Sequence, residues 1–339
     1  MIKKKKIPFK INVSLREYLE EFGREKSAID YRDLLRHKGS VPLINAAGVD
    51  TLWETVYYSD REYEEIQVQL IEVYANLLAH GEIHAIDHLY IDRIDICPFG
   101  NSKPFRIRIV NRVNDNFDYF YVKNADASRI YGLELEHLLS PNRINYLVDK
   151  DTLIEAHIAG IPGDQFIKDY RETSNFDKTR IAKEFVKFNE RCFVMLLGDM
   201  HSSNFVVDVT PDFEEVHYRI RAIDFDQQSY EGKLKIYLPQ FFKQNFDYVQ
   251  MGIEVMTPES QWQYQLEERS LIRNRIKTST VPLEKLLASM TKATISSEEQ
   301  LIQLKKELTQ YHRDPRYEAC RSMGELIQLN LHRLWEKAN

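Results

Sequence analysis

Cysteine is scarce in this chain of 339 residues, and its 3 copies, Cys97, Cys192 and Cys320, never form a Cys-x-x-Cys pair. That excludes a disulfide framework and a cysteine zinc site, and it fits a reducing compartment. No apolar run approaches the ~18 residues that a membrane span requires. Glycine is sparse too, at 12 residues, and no Gly-x-Gly-x-x-Gly stretch precedes Lys123. A ready-made glycine-rich phosphate loop is therefore missing there. The net charge of -6 argues against broad nucleic-acid binding. Lys3, Lys4, Lys5 and Lys6 lead into mixed polar sequence rather than a signal-peptide core, so they read as a solvated tail and the expected location is cytoplasmic. There are no internal repeats and no low-complexity tracts.

What is present is globular: 43% apolar and 12% aromatic residues, in a length that calls for two lobes or domains. The most informative stretch is Gly198-Asp199-Met200-His201-Ser202-Ser203-Asn204, followed by Ile223-Asp224-Phe225-Asp226. Phosphoryl transfer needs metal to neutralise charge and a carboxylate to align the attacking hydroxyl. Asp199 can face an acceptor hydroxyl while Asn204 turns its carbonyl oxygen toward Mg²⁺, a cation that prefers hard oxygen donors. Asp224 supplies a second, charged ligand. Phe205–Val209 and Arg219–Ile223 are strand-like and flank a turn at Thr210-Pro211-Asp212, so Asn204 and Asp224 should lie at neighbouring ends of a hairpin.

Upstream, Phe105–Val110 and Phe117–Lys123 form a second hairpin across Asn114-Asp115-Asn116, rich in aromatic and β-branched residues. It ends in Lys123. The segment Ala127–Leu139 that follows is helical and carries Glu134 and Glu136, of which Glu134 falls nearer the inward face. Phe99-Gly100-Asn101-Ser102 lies ahead of the hairpin, where Ser102 and open amides could meet phosphate. His80, His84 and His88 recur every fourth residue, but Gly81 weakens a helix there, and ordinary surface or packing histidines are the better reading.

These motifs together resemble the protein-kinase-like superfamily, within it the aminoglycoside and choline phosphotransferase branch, where Gly-Asp-x-His-x-x-Asn and Ile-Asp-Phe/Trp-Glu/Asp recur. Asp199, His201, Asn204 and Asp224 match position by position. Leu197 departs from the histidine common before the Gly-Asp, and Asp226 stands where protein kinases carry the glycine of Asp-Phe-Gly. The resemblance implies an α+β, two-lobed kinase-like fold: a small antiparallel-sheet N-lobe (86–158), a mainly helical C-lobe (159–339) and an N-terminal helical extension (1–85). It implies ATP and Mg²⁺ as cofactors, with Lys123 gripping phosphates under the hold of Glu134, and Gly100 and Ser102 in the phosphate-covering turn. Backbone groups near Glu155 and His157 would hold the adenine edge. His201 would shape the loop, and Asp199 would orient or deprotonate the acceptor. The expected partners are a nucleotide and a small-molecule acceptor, since no Ala-Pro-Glu segment follows Asp226. A catalytically weak kinase fold used for binding or regulation is the alternative reading, and transfer of AMP a further one.

In the extension, Ser14 to His80 reads as mostly helical, with Ser14 and Glu17 as a capping box and a helix starting at Asp60. Later helices are expected over 178–194, 238–252, 258–276, 282–290, 297–312 and 315–337.

Overall fold

The computed structural model describes residues 6–26, 29–78, 88–171, 173, 176–212 and 216–336. The chain divides into two compact units, one of residues 1–127 and 144–157, the other of 128–143 and 158–339.

The first unit is built on a seven-stranded antiparallel sheet. Helices α1 (Val13–Glu21) and α2 (Tyr31–Leu34) precede strands β1 (Gly39–Ile44) and β2 (Asp50–Tyr57), then helix α3 (Asp60–Leu78). Strands β3 (Leu89–Ile96), β4 (Phe105–Asn111) and β5 (Phe117–Asn124) follow, and after helix α4 (Ala127–Leu139) come β6 (Tyr146–Asp149) and β7 (Thr152–Ala156). The strand order is β1-β2-β3-β4-β5-β7-β6. Alternation explains the core: Phe105, Ile107 and Ile109 of β4 and Phe120 and Val122 of β5 point to one face, where they meet Ile66 and Leu70 of α3. Burying each such side chain contributes about 1.5–3 kcal/mol.

The 1–85 extension, expected to be helical, is only partly so. Its residues 39–57 fold into β1 and β2, which extend the sheet beyond β3. The hairpin turns on Asn45, whose side chain accepts from the Ala47 and Val49 amides, an Asx turn that outcompetes helix. Helix α1 is capped by Asn12, whose side chain accepts from the Leu15 amide, rather than by Ser14. Nor is Lys6 a solvated tail: its Nζ is 2.7 Å from Asp126 Oδ2 and the residue is buried. The Asp60 helix start is as expected.

The second unit is mainly helical. It takes up most of α4, then β8 (Ile161–Pro162), α5 (Gly163–Tyr170), α6 (Lys178–Met195), and the strands β9 (Phe205–Pro211) and β10 (Val216–Ala222). Helices α7 (Phe246–Val255), α8 (Pro258–Thr278), α9 (Thr280–Thr291), α10 (Glu298–His312), α11 (Arg316–Ala319) and α12 (Met323–Arg333) complete it. The helix expected from residue 238 begins only at Phe246, after short 3₁₀ turns, and the one expected over 315–337 is broken into α11 and α12. Buried Arg191 on α6 holds Glu268 of α8 at 2.7 Å and donates to the Ile220 carbonyl at 3.1 Å. The architecture is the expected α+β, kinase-like one, although most of α4 groups with the helical unit rather than with the 86–158 sheet segment. Among the described residues no helix is long and apolar enough to cross a membrane.

Candidate active site

In the helical unit the sequence from α6 to β10 folds into one tightly turned loop. Helix α6 ends on Leu196, which takes the left-handed conformation at φ 51°, and Asp199 does the same at φ 62°. Such a conformation is tolerated best by short polar side chains, so at Asp199 it is cheap and at Leu196 it must be enforced. Gln228 enforces it: its side chain donates to the Met195 carbonyl at 2.6 Å, Ser229 N–H donates to the Leu196 carbonyl at 2.8 Å, and Leu197 bridges to Gln228. Leu197 is therefore buried in the anchor of this loop.

Beyond the turn, Asp199 accepts from the His201 amide at 2.9 Å, and His201 accepts from the Asn204 amide at 2.8 Å. The side-chain amide of Asn204 donates to the Asp199 carbonyl at 2.8 Å. That bond commits Nδ2, so Oδ1 is the atom left to act as a donor to a cation. His201 Nδ1 is buried with no hydrogen-bond partner, and the ring lies 6.1 Å from Phe242. Asn245 steadies the loop from below, donating to the Met200 carbonyl at 2.9 Å.

The hairpin register completes the placement. Phe205 pairs with Ala222, and Ile223 N–H donates to the Asn204 carbonyl at 3.0 Å, so Asn204 and Asp224 stand at adjacent strand ends. Asp224 is 37% exposed at its side chain. One amide oxygen and one accessible carboxylate fit Mg²⁺, which takes few protein ligands and fills its shell with phosphate and water. Among the described residues there is no group of three or more His, Cys, Asp or Glu that could hold a metal ion. His80 and His84 lie outside the described residues.

The sheet unit carries the other candidates. Lys123 is the penultimate residue of β5, and its Nζ is 2.8 Å from Glu155 Oε2, both side chains being almost fully buried. Glu155 itself sits within the ladder, opposite Tyr121 of β5 and Tyr146 of β6, so its carboxylate rather than its backbone is the notable group. His157 N–H donates to the Tyr119 carbonyl at 3.2 Å, and its ring nitrogen Nδ1 is 3.1 Å from the Tyr121 hydroxyl. Burial pushes the Tyr121 phenol up to about 12, which keeps it protonated. Gly100 and Ser102 lie in the β3–β4 connection, a tight turn closed by Gly100 N–H on the Cys97 carbonyl and Lys103 N–H on the Gly100 carbonyl, both at 3.2 Å. Glu134 is buried on α4, in the helical unit.

Three residues at the site escaped the sequence reading: Arg129, Gln228 and Asn245. Arg129 donates to Asp224 and Asp226 at 2.7 and 2.8 Å. The pairing of Asp226 with a cation was the one detectable signal, an acidic residue where a glycine is usual.

Neither a protein-family model nor a curated protein sequence matches the chain. Among solved structures the chain is similar to a Helicobacter pylori proinflammatory kinase, CtkA, at 11% identity, covering 68% of this chain and 94% of that one, with a TM-score of 0.35. A likeness of that degree assigns neither activity nor substrate.

Proposed function

We propose that this chain is an ATP- and Mg²⁺-dependent phosphotransferase acting on a hydroxyl of a small-molecule acceptor, in the manner of the aminoglycoside and choline phosphotransferase branch. The observation that carries the reading is the placement of Asp199, Asn204 and Asp224 by one hydrogen-bonded loop and one hairpin register. Asp199 orients the acceptor hydroxyl and takes its proton as the oxygen bonds to the γ-phosphorus and the bond to ADP breaks. Asn204 and Asp224 would hold the metal, which when bound neutralises phosphate charge. Lys123, kept in a fixed rotamer by Glu155, supplies positive charge for nucleotide phosphates, while the turn that Gly100 closes presents the Ser102 hydroxyl to them. His201 shapes the loop and does not exchange the proton.

The Arg129–Asp224 ion pair of 2.7 Å favours a second reading, a kinase fold retained for binding with little turnover, because a guanidinium already occupies one carboxylate oxygen. Turnover decides between them. With a panel of hydroxyl acceptors, Mg²⁺-dependent ATP consumption should fall about 10²–10⁴-fold in Asp199→Ala while nucleotide binding survives. Equal background consumption in native and variant protein would sink the enzyme reading, and the product mass separates phosphoryl from AMP transfer.

A further inference from the structure

Arg129 and Asp226 have no role in the transfer itself, yet both touch the carboxylate that reading assigns to the metal. The Arg129 side chain is 3% exposed. Its Nη1 donates to Asp224 Oδ1 at 2.7 Å and to Asp226 Oδ1 at 2.8 Å, and its Nη2 reaches the Ile223 carbonyl at 3.3 Å. The Asp226 amide donates to the same Asp224 oxygen at 3.0 Å. Two fixed donors thus converge on Asp224 Oδ1.

The helix that carries Arg129 is locked against this segment. Ser128 Oγ donates to the Gln228 carbonyl at 2.7 Å. One turn on, Gly132 lets the helix approach so closely that an added Cβ would stand 3.1 Å from the Cβ atoms of both Phe225 and Gln228. The backbone that carries Arg129 is thereby held against this segment.

An aspartate carboxylate turns freely about its last torsion, because that sp³–sp² rotation is broad and nearly unhindered. A metal ligand therefore needs an outside group to fix its rotation, and such partners typically carry a 10–100-fold share of metal affinity. Asp226 is the less accessible of the two carboxylates, its side chain being 15% exposed against 37% for Asp224.

We propose that Arg129 and Asp226 are positioning residues of the metal site. Asp226 seats the guanidinium, and the guanidinium fixes the orientation of the Asp224 carboxylate. The pair explains an aspartate where protein kinases carry a glycine, since glycine has nothing with which to seat an arginine. The proposal rests on reading Asp224 as the Mg²⁺ ligand.

The test is the thermal stability of the full chain with ATP across a Mg²⁺ titration, comparing native protein with Asp224→Ala, Asp226→Ala and Asp226→Asn. In Asp226→Ala the Mg²⁺ concentration giving half the stabilisation should rise about 10-fold or more. Asp226→Asn, which keeps an acceptor oxygen for Arg129, should recover part of that loss, and stabilisation by ATP in EDTA should be the same in all variants. An unchanged midpoint in Asp226→Ala overturns the proposal, and so does complete loss equal to that of Asp224→Ala, which would make Asp226 a ligand. If Asp226→Ala does not fold, Asp226→Asn and Arg129→Lys decide: raised midpoints support the clamp, native midpoints in both overturn it. No Mg²⁺ response in the native chain would instead remove the phosphotransferase reading on which the proposal stands.

Discussion

Lys123 and Glu155 illustrate how a single residue can serve structure and chemistry together. Their side chains are 9% and 8% exposed, so removing one partner leaves the other as a buried charge. Lys123→Met should destabilise the protein by about 3–5 kcal/mol in urea unfolding, a cost that follows from breaking a buried ion pair and is separate from any loss of nucleotide affinity. His312 gives a different kind of prediction. Its ring is stacked between Phe193 and Tyr317, with Nε2 buried and unpartnered. Burial, helped by Arg333 and Arg269 and opposed by Asp314, lowers it from 6.5 to about 4. The unfolded chain therefore binds this proton before the folded one does. Stability from this residue is complete above about pH 6.5 and declines as the pH falls toward 4. His312→Phe should flatten the fall in melting temperature over that window, and an unaltered slope would show that the ring does not contribute.

At the scale of elements, the β9–β10 hairpin and the turn before it do the positioning, and α5 packs directly beneath. Gly163 opens α5 against this loop: a Cβ there would stand 2.3 Å from Phe205 Cε2 and 2.7 Å from the Ser202 carbonyl oxygen. Gly163→Ala should cost about 1–3 kcal/mol by overpacking and displace Phe205, the residue next to Asn204. Chemical denaturation reads the first effect and Mg²⁺-dependent nucleotide binding the second. This hairpin was legible in the sequence because its β-branched runs and the Pro211-Asp212 turn are local signals. The β1–β2 hairpin was not, since the Asx turn at Asn45 is a side-chain hydrogen bond that no hydrophobic period announces. Arg129 was hidden for a longer-range reason: its partner Asp224 is 95 positions away, and an arginine in a helix's first turn looks like any solvated one. Lys123 could be read as a strand-end lysine, but only the cross-strand register, which pairs it with Leu153, makes Glu155 its diagonal neighbour.

For the whole molecule, the two units hold different parts of the proposed machinery: a sheet with Lys123, Glu155 and the Gly100 turn, and a helical unit with Asp199, Asn204 and Asp224. Their division was only partly readable, because a helix that follows a sheet in the chain need not group with it, and α4 does not. The proposed function stands on Asp224 and its loop binding Mg·ATP. A ligand that binds only the folded state stabilises it, by about 2.7 kcal/mol at a hundredfold excess over its Kd. The direct measurement is the melting temperature of the native chain and of Asp224→Ala, with and without Mg·ATP. The account predicts a rise of several degrees in the native protein that requires Mg²⁺ and disappears in Asp224→Ala; no rise at saturating nucleotide, or an equal rise in both proteins, would contradict it.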